Sequence, residues 1–293
     1  MADRQLPRGA EVFLDHIAHF VHDRDTARAA LARAGFAPTP VSIQANPAAA
    51  GGAPTPTGTG NVTAMLARGY VEVLFKTADT ALGRELDAAL VRYPGLHLAA
   101  FAVGDAGAAH RRLAAAGFAM QPLVEMQRPV ETAEGPSLAA FTIARLAPGQ
   151  MAEGRIQMLT HRTEAMVWQP RWLVHPNGAR ALTALTIAVA DVREAAARFA
   201  RFLDRPPRAC AGGAAIALDR GTIELVTADA FAARFPEIAI ARLPFIGACA
   251  IAVASLATAE AALHSGGIAT RRSGDRLIAP FPEPLGIGAW VFE

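Results

Sequence analysis

The chain repeats one pattern four times, so its fold must be built from four similar units. "HIAHFVHDRDTARAALARAGF" (16–36) places a short apolar run before an acidic residue, an Ala-rich amphipathic stretch and Gly-Phe. "LAAFAVGDAGAAHRRLAAAGF" (98–118) follows the same plan at the same length. "LTIAVADVREAAARFARFLDR" (185–205) repeats it with Asp191, and "CAIAVASLATAEAALHSGGI" (249–268) repeats it with Ser255 where the acid stood. Each copy reads as strand, N-cap, helix. The apolar run alternates with period two, and the Asp or Ser side chain can accept from the free N–H groups of the first helical turn. Gly35, Gly117 and Gly267 suit the left-handed position that ends a helix. Short strand-like pieces follow the helices: "NVTAMLA", "GYVEVLF", "SLAAFTIARL" and "RIQMLT" in the first half, then "AAIALD", "TIELVT", "RLIAPF" and "GAWVF" in the second. The expected fold class is α+β, with four strand–helix–several-strand units paired into two halves.

Residues 160–182, "THRTEAMVWQPRWLVHPNGARAL", are polar, aromatic and Pro-containing, and read as the connection between the halves. The expected domains are 1–160, a connecting segment 161–182, and 183–293. In the connection the Trp rings are expected to anchor on the core while Asn177-Gly178 makes a turn. The rival reading lets Arg171 or His175 reach a cleft and hold an anion. "NPAAAGGAPTPTGTGN" (46–61) is rich in Pro, Gly and Thr and reads as a mobile loop.

With 52% apolar and 18% charged residues the chain can bury a large core. A formal charge of +2 without an Arg run gives no reason to expect a nucleic-acid partner. No apolar run approaches the roughly 20 residues that cross a bilayer, and the N-terminus lacks a signal-peptide apolar core. Cys210 and Cys249 are isolated, which fits a reducing cytoplasm. The expectation is a cytoplasmic protein with no nucleic-acid or membrane partner, a small-molecule substrate or ligand, and an oligomeric state, homodimer included, that the sequence leaves open. No nucleophile elbow, phosphate loop, H-E-x-x-H or EF-hand pattern occurs.

"DHIAHFVHD" (15–23) holds three of the eight histidines. On a strand, His16 and His22 share a face but stand roughly 20 Å apart, and His19 points the other way. Metal-bound nitrogens sit about 2 Å from the ion, so no two of the three share one. His22 reads as a turn residue and His19 as packing on the opposite face. His16 differs because it opens the first strand of its unit, while Glu72 lies in the last strand of that unit, "GYVEVLF". Gln157 and Glu224 hold the matching places in units two and three.

A histidine opening the first strand and a glutamate in the last, in repeated strand–helix–strand units, resembles the vicinal-oxygen-chelate superfamily. Its members include glyoxalase I, bleomycin-resistance proteins and extradiol dioxygenases. "LDHIAHFVHD", "GTGN", "YVEVL", "VWQPRW" and "HPNGA" resemble its glyoxalase-like group in particular. The resemblance implies four βαβββ modules paired into two glyoxalase-like domains, and a divalent metal (zinc, nickel, manganese or iron) held by opening and last-strand residues. Carried onto this chain, the ligands are His16, Glu72 and Gln157. The fourth position falls on Leu98, with His97 one residue out of register. In the second half the opening positions are Ala184 and Ala248, so only Glu224 remains and that half is expected to be degenerate.

Two classes of function follow. One is a metal-dependent lyase or isomerase acting on a small oxygenated metabolite, with Glu72 also serving as catalytic base. The other is a metal-free small-molecule binding or sequestering protein. A ring-cleaving dioxygenase relative is the third reading, though that chemistry takes two His and one carboxylate, and Leu98 stands where the second His belongs.

Overall fold

Asp23, Asp105, Asp191 and Ser255 each accept a backbone N–H from the first turn of the helix that follows, as the repeats require. Gly35, Gly117 and Gly267 sit at φ 77°, 83° and 75°, beyond the Cβ-bearing region. The computed structural model describes residues 4–47 and 52–293. The first unit runs β1 (Val12–Phe20), α1 (Arg24–Arg33), β2 (Ser42–Asn46), β3 (Thr55–Met65) and β4 (Tyr70–Lys76). Helix α2 (Ala81–Arg92) leads to the second: β5 (Gly95–Val103), α3 (Ala106–Ala115), β6 (Val124–Thr132), β7 (Gly135–Arg145) and β8 (Arg155–His161). A short helix α4 (Glu164–Val167) opens the connection to the third: β9 (Ala179–Ala188), α5 (Val192–Leu203), β10 (Arg208–Cys210), β11 (Gly213–Ala217) and β12 (Thr222–Val226). Helix α6 (Ala228–Arg234) precedes the fourth: β13 (Phe245–Val253), α7 (Leu256–Ser265), β14 (Arg271–Ser273), β15 (Arg276–Pro280) and β16 (Ala289–Phe292). The α+β expectation holds. No helix among the described residues is long and apolar enough to cross a membrane, and Cys210 and Cys249 are free thiols.

In each unit the first strand pairs in parallel with the last: β1 with β4, β5 with β8, β9 with β12, β13 with β16. Units then pair antiparallel through their first strands, β1 with β5 and β9 with β13. In the first half the far edges also meet, β2 against β6 at Ala45 and Gln127. The circuit β1-β4-β3-β2-β6-β7-β8-β5 thereby closes on β1. An eight-stranded barrel is just wide enough to fill with side chains or to hold one small ligand. The second half stays open, ending at β10 on one side and β14 on the other. The halves join where β5 meets β13 at Leu96 and Ile246. One apolar core runs through both, from Leu14, Leu31 and Phe101 to Ile223, Ile251 and Trp290.

The interiors of the two halves differ. Ala18, Phe20, Leu74 and Leu98 line the first barrel together with polar groups. The second is filled by Phe231, Phe235 and Phe245 against Ala248, Ala250 and Val291. The rings from and beside α6 occupy the space that a ligand would need.

The expected loop at 46–61 is corrected over part of its length. Residues 55–61 belong to β3, which pairs with β2 and β4, while 48–51 lie outside the described residues. Period-two alternation is present there, carried by Thr57, Thr59 and Asn61, all buried. These side chains point inward to hydrogen-bond partners, so a strand with a polar inner face looks like a loop in composition. Asn177 behaves as expected: its Nδ2 donates to Ala34 O at 2.9 Å and its Oδ1 accepts from Ala179 N at 3.0 Å.

Candidate active site

β1 bulges at the start of the site. Leu14 pairs with Phe101 and His16 with Ala100, which leaves Asp15 as the extra residue. The bulge brings two consecutive side chains together, which a flat strand cannot do. Asp15 Oδ1 lies 2.6 Å from His16 Nδ1. Ionised, the carboxylate only accepts, so His16 donates from Nδ1. Its other ring nitrogen, Nε2, lies 3.8 Å from Glu72 Oε2. The imidazole is held flat on Tyr70, with centroids 4.3 Å apart and planes at 15°. Glu72 Oε1 accepts from Asn61 Nδ2 at 2.5 Å and, more distantly, from Gln44 Nε2 at 3.5 Å. Gln44 is fixed in turn by Thr59, whose hydroxyl donates to its Oε1 at 2.6 Å.

The second oxygen of Asp15 accepts from His161 Nε2 at 2.9 Å. Both residues are fully buried, and Trp168 and Phe141 close around the His161 ring at 4.6 and 5.1 Å. Burial alone would raise the Asp15 carboxyl. The neighbouring His161 and the hydrogen bonds from both histidines outweigh it and hold Asp15 well below the usual carboxylate range. Asp15 is therefore an anion clamped between two ring N–H donors. Gly69 supports it from behind: at φ 75°, a Cβ there would stand 2.6 Å from the Asp15 carbonyl oxygen. Gly69→Ala is expected to lose about 1–3 kcal/mol in urea melts, from left-handed strain plus that clash.

A sequence profile of the family described as "Glyoxalase-like domain" matches residues 14–203, which span the closed barrel and run to the end of α5. The chain belongs to the glyoxalase-like family. Solved structures of this fold include a hypothetical protein from Staphylococcus aureus, 9% identical, at a TM-score of 0.64, covering 96% of this chain and 99% of that one. A mutant of 4-hydroxymandelate synthase from Streptomyces coelicolor is 15% identical, with a TM-score of 0.57 and coverage of 96% and 92%. A xylose isomerase-like TIM barrel/4-hydroxyphenylpyruvate dioxygenase fusion protein is 14% identical at 0.54, this chain spanning 50% of it. The glyoxalase-like group read from the repeats and motifs is the family found. A comparison with proteins of curated function returns no match.

Within this glyoxalase-like barrel, His16, Glu72 and Gln157 line one cavity of about 40 Å³. Glu72 stands across from Ala18 and Gln157 across from Ala100, equivalent places in the two modules. Gln157 Oε1 accepts from Arg145 Nε at 3.2 Å. Leu98 also lines the cavity, whereas His97 turns away, stacked on Tyr93 at 4.1 Å and bonded to its carbonyl at 2.6 Å. Among the described residues no cluster of three or more His, Cys, Asp or Glu side chains could hold a metal. His16 Nε2 and Glu72 Oε2 face each other, while Gln157 Oε1 accepts from Arg145. The 3.8 Å separation of the first two is a span that two metal–ligand bonds of roughly 2.0–2.2 Å can bridge. A carboxylate behind the imidazole is the support that metal-bound histidines receive. The pair fits a divalent ion whose other positions are left to water or substrate.

The remaining candidates have structural roles. Glu224 Oε2 accepts from Thr186 at 2.8 Å and from Arg234 at 2.6 Å, in the half filled by phenylalanine. His19 packs on Phe281 and Trp290 and reaches Leu285 O at 2.9 Å, while His22 is exposed just before the Asp23 cap. His175 spends both nitrogens on backbone, taking Ala37 N at 2.9 Å and meeting Met65 O at 2.7 Å. Arg171 bonds the Glu131 carbonyl and lies over the Trp172 ring. Sequence reasoning missed Asp15, Gln44, Asn61 and three arginines, Arg128, Arg145 and Arg155, which also line the cavity. The alternation Thr57-x-Thr59-x-Asn61 was the available signal for the inner polar face of β3.

Proposed function

We propose that the closed barrel is the active site of a metal-dependent glyoxalase-like enzyme, of lyase or isomerase type, acting on a small oxygenated metabolite. The observation that carries this reading is His16 Nε2 facing Glu72 Oε2 at 3.8 Å, with Asp15 bonded to Nδ1 from behind. His16 and Glu72 would hold the ion, which when bound supplies Lewis-acid polarisation of a carbonyl oxygen. The chain's own residues do the rest. Glu72, with Oε1 anchored by Asn61 and Gln44, would release Oε2 from the ion to accept there the proton that leaves a carbon beside that carbonyl, and return it to the product. Gln157 steadies Arg145 at the cavity wall. The apolar walls, Leu74, Leu98, Phe141 and Leu159, keep bulk water out.

Metal content measured by mass spectrometry on untagged protein tests the reading. About one zinc, nickel, manganese or iron per chain is expected in the wild type, falling at least tenfold in His16→Ala. No metal in either protein after incubation with those four ions would sink it. The metal-free binding protein on the same fold would then stand, since buried Arg128 and half-buried Arg145 and Arg155 already supply the cavity with positive charge.

A further inference from the structure

We infer that the molecule this cavity takes is a small anion whose carboxylate or phosphate group is received by Arg128, Arg145 and Arg155. The inference rests on the reading of this cavity as the functional site and names the class of its ligand. Arg128 carries most of it. Its side chain is 6% exposed and lines the cavity, yet makes no hydrogen bond or ion pair among the described residues. Burial weighs against its charged form, and Tyr70 and Glu72 act on it only through space. None of its nitrogens is sealed away from the cavity space, so they are open to an incoming acceptor.

The other two arginines share the same surplus. Arg145 has one side-chain partner, the neutral Gln157, and burial beside Arg155 pushes it down to about 9, so it stays charged at neutral pH. Arg155 is paired with the half-exposed Glu85 at 2.8 Å and lies over the Phe20 ring. Three guanidinium groups therefore face Glu72 inside and Glu85 at the rim. An ion pair network with balanced charge would not need a further anion; this set does.

Size agrees with charge. The inner space of about 40 Å³ has room for roughly three waters, the bulk of one carboxylate or phosphate group. Arg145 and Arg155 also line a wider cleft of about 270 Å³ on their outer side, with Gln121 and Met151. The anionic group enters between these two arginines and ends against Arg128, while the remainder of the molecule lies in the cleft. Planar guanidinium groups grip both oxyanions with paired N–H donors.

Isothermal titration calorimetry on the full chain, stripped with EDTA, tests this with three probes: oxalate, inorganic phosphate and neutral oxamide. Binding of oxalate or phosphate but not oxamide is expected, weakened at least tenfold in Arg128→Met and in Arg145→Gln. The stronger of the two anions identifies the group. Arg128→Met should also melt at or above the wild-type temperature, because it removes an unpartnered charge. Should Arg128→Met fail to fold, Arg145→Gln at the rim decides alone. Equal binding of all three probes, no binding of either anion, or anion binding unchanged in the arginine variants overturns the inference. Anion binding by a protein that takes up none of the four metal ions when incubated with them would sustain it while removing the metal-dependent reading. Metal binding with anion affinity indifferent to the arginines would do the reverse.

Discussion

Lowering the pH from 7 to 4 is expected to cost this protein several kcal/mol of folding stability, enough to unfold it. His19 and His97 are both buried, and burial pushes each from 6.5 down to about 4. Each donates one ring N–H to a carbonyl, Leu285 and Tyr93 respectively, and leaves its other nitrogen without a partner. Protonation would put an unsatisfied N–H and a charge beside Phe281 and Trp290, or beside Tyr93. A folded-state pKa below the unfolded one means that the unfolded chain takes up the proton first. Stability is therefore whole above 6.5 and drains as pH falls toward about 4, by roughly 3 kcal/mol for each histidine. The total is comparable to the 5–15 kcal/mol that holds typical folds. Burial lowers His175 as well, so it adds to the same trend. Urea melts at half-unit pH steps would show this slope, and His19→Phe should remove close to half of it. A stability flat from pH 7 to 4.5 would refute the assignment.

The second large effect is expected from a change of one atom, Asp15→Asn. Two ring N–H groups converge on the Asp15 carboxylate, at 2.6 and 2.9 Å. An amide offers one oxygen and one NH₂, so one histidine must move its proton and become the acceptor. His161 gains nothing by moving it, because its Nδ1 is buried with no partner. His16 does gain: a proton on Nε2 would face Glu72 Oε2. The variant is thus expected to keep its fold, at a loss of about 1–2 kcal/mol. Its affinity for a divalent ion should drop by roughly 10–100-fold, the range seen when a carboxylate supporting a metal-bound histidine is removed. Zinc titration followed by ¹⁵N spectra of the imidazoles would report both affinity and tautomer. Unchanged affinity with an unchanged His16 tautomer would show that Asp15 serves packing alone.

Much of the scaffold was legible from the repeats. Caps and terminating glycines are local signals, and Asp23, Asp105, Asp191 and Ser255 all act where the pattern puts them. The meeting of His16 with Glu72 was legible too, because the first and last strands of a unit pair in fixed register. What escaped depends on closure of the ring. Arg128 and Arg145 look like solvated strand residues until β2 meets β6 and their faces become an interior. Asp15 escaped because alternation sends consecutive side chains to opposite faces, and a single bulge suspends that rule. Thr57, Thr59 and Asn61 were misread because their partners, Gln44 and Glu72, lie on other strands.

A closed ring of strands offers little backbone to a newcomer, and the barrel that holds the cavity is closed on all sides but one, where β2 and β6 touch at Ala45 and Gln127. The rows of unspent N–H and C=O groups that could template another chain lie in the other half, at β10 and β14. Both are three residues long, and they carry Arg208, Arg271 and Arg272. Short, charged borders discourage sheet-to-sheet growth. Strand addition at β10 or β14 would begin on the side without the cavity, leaving its entrance untouched.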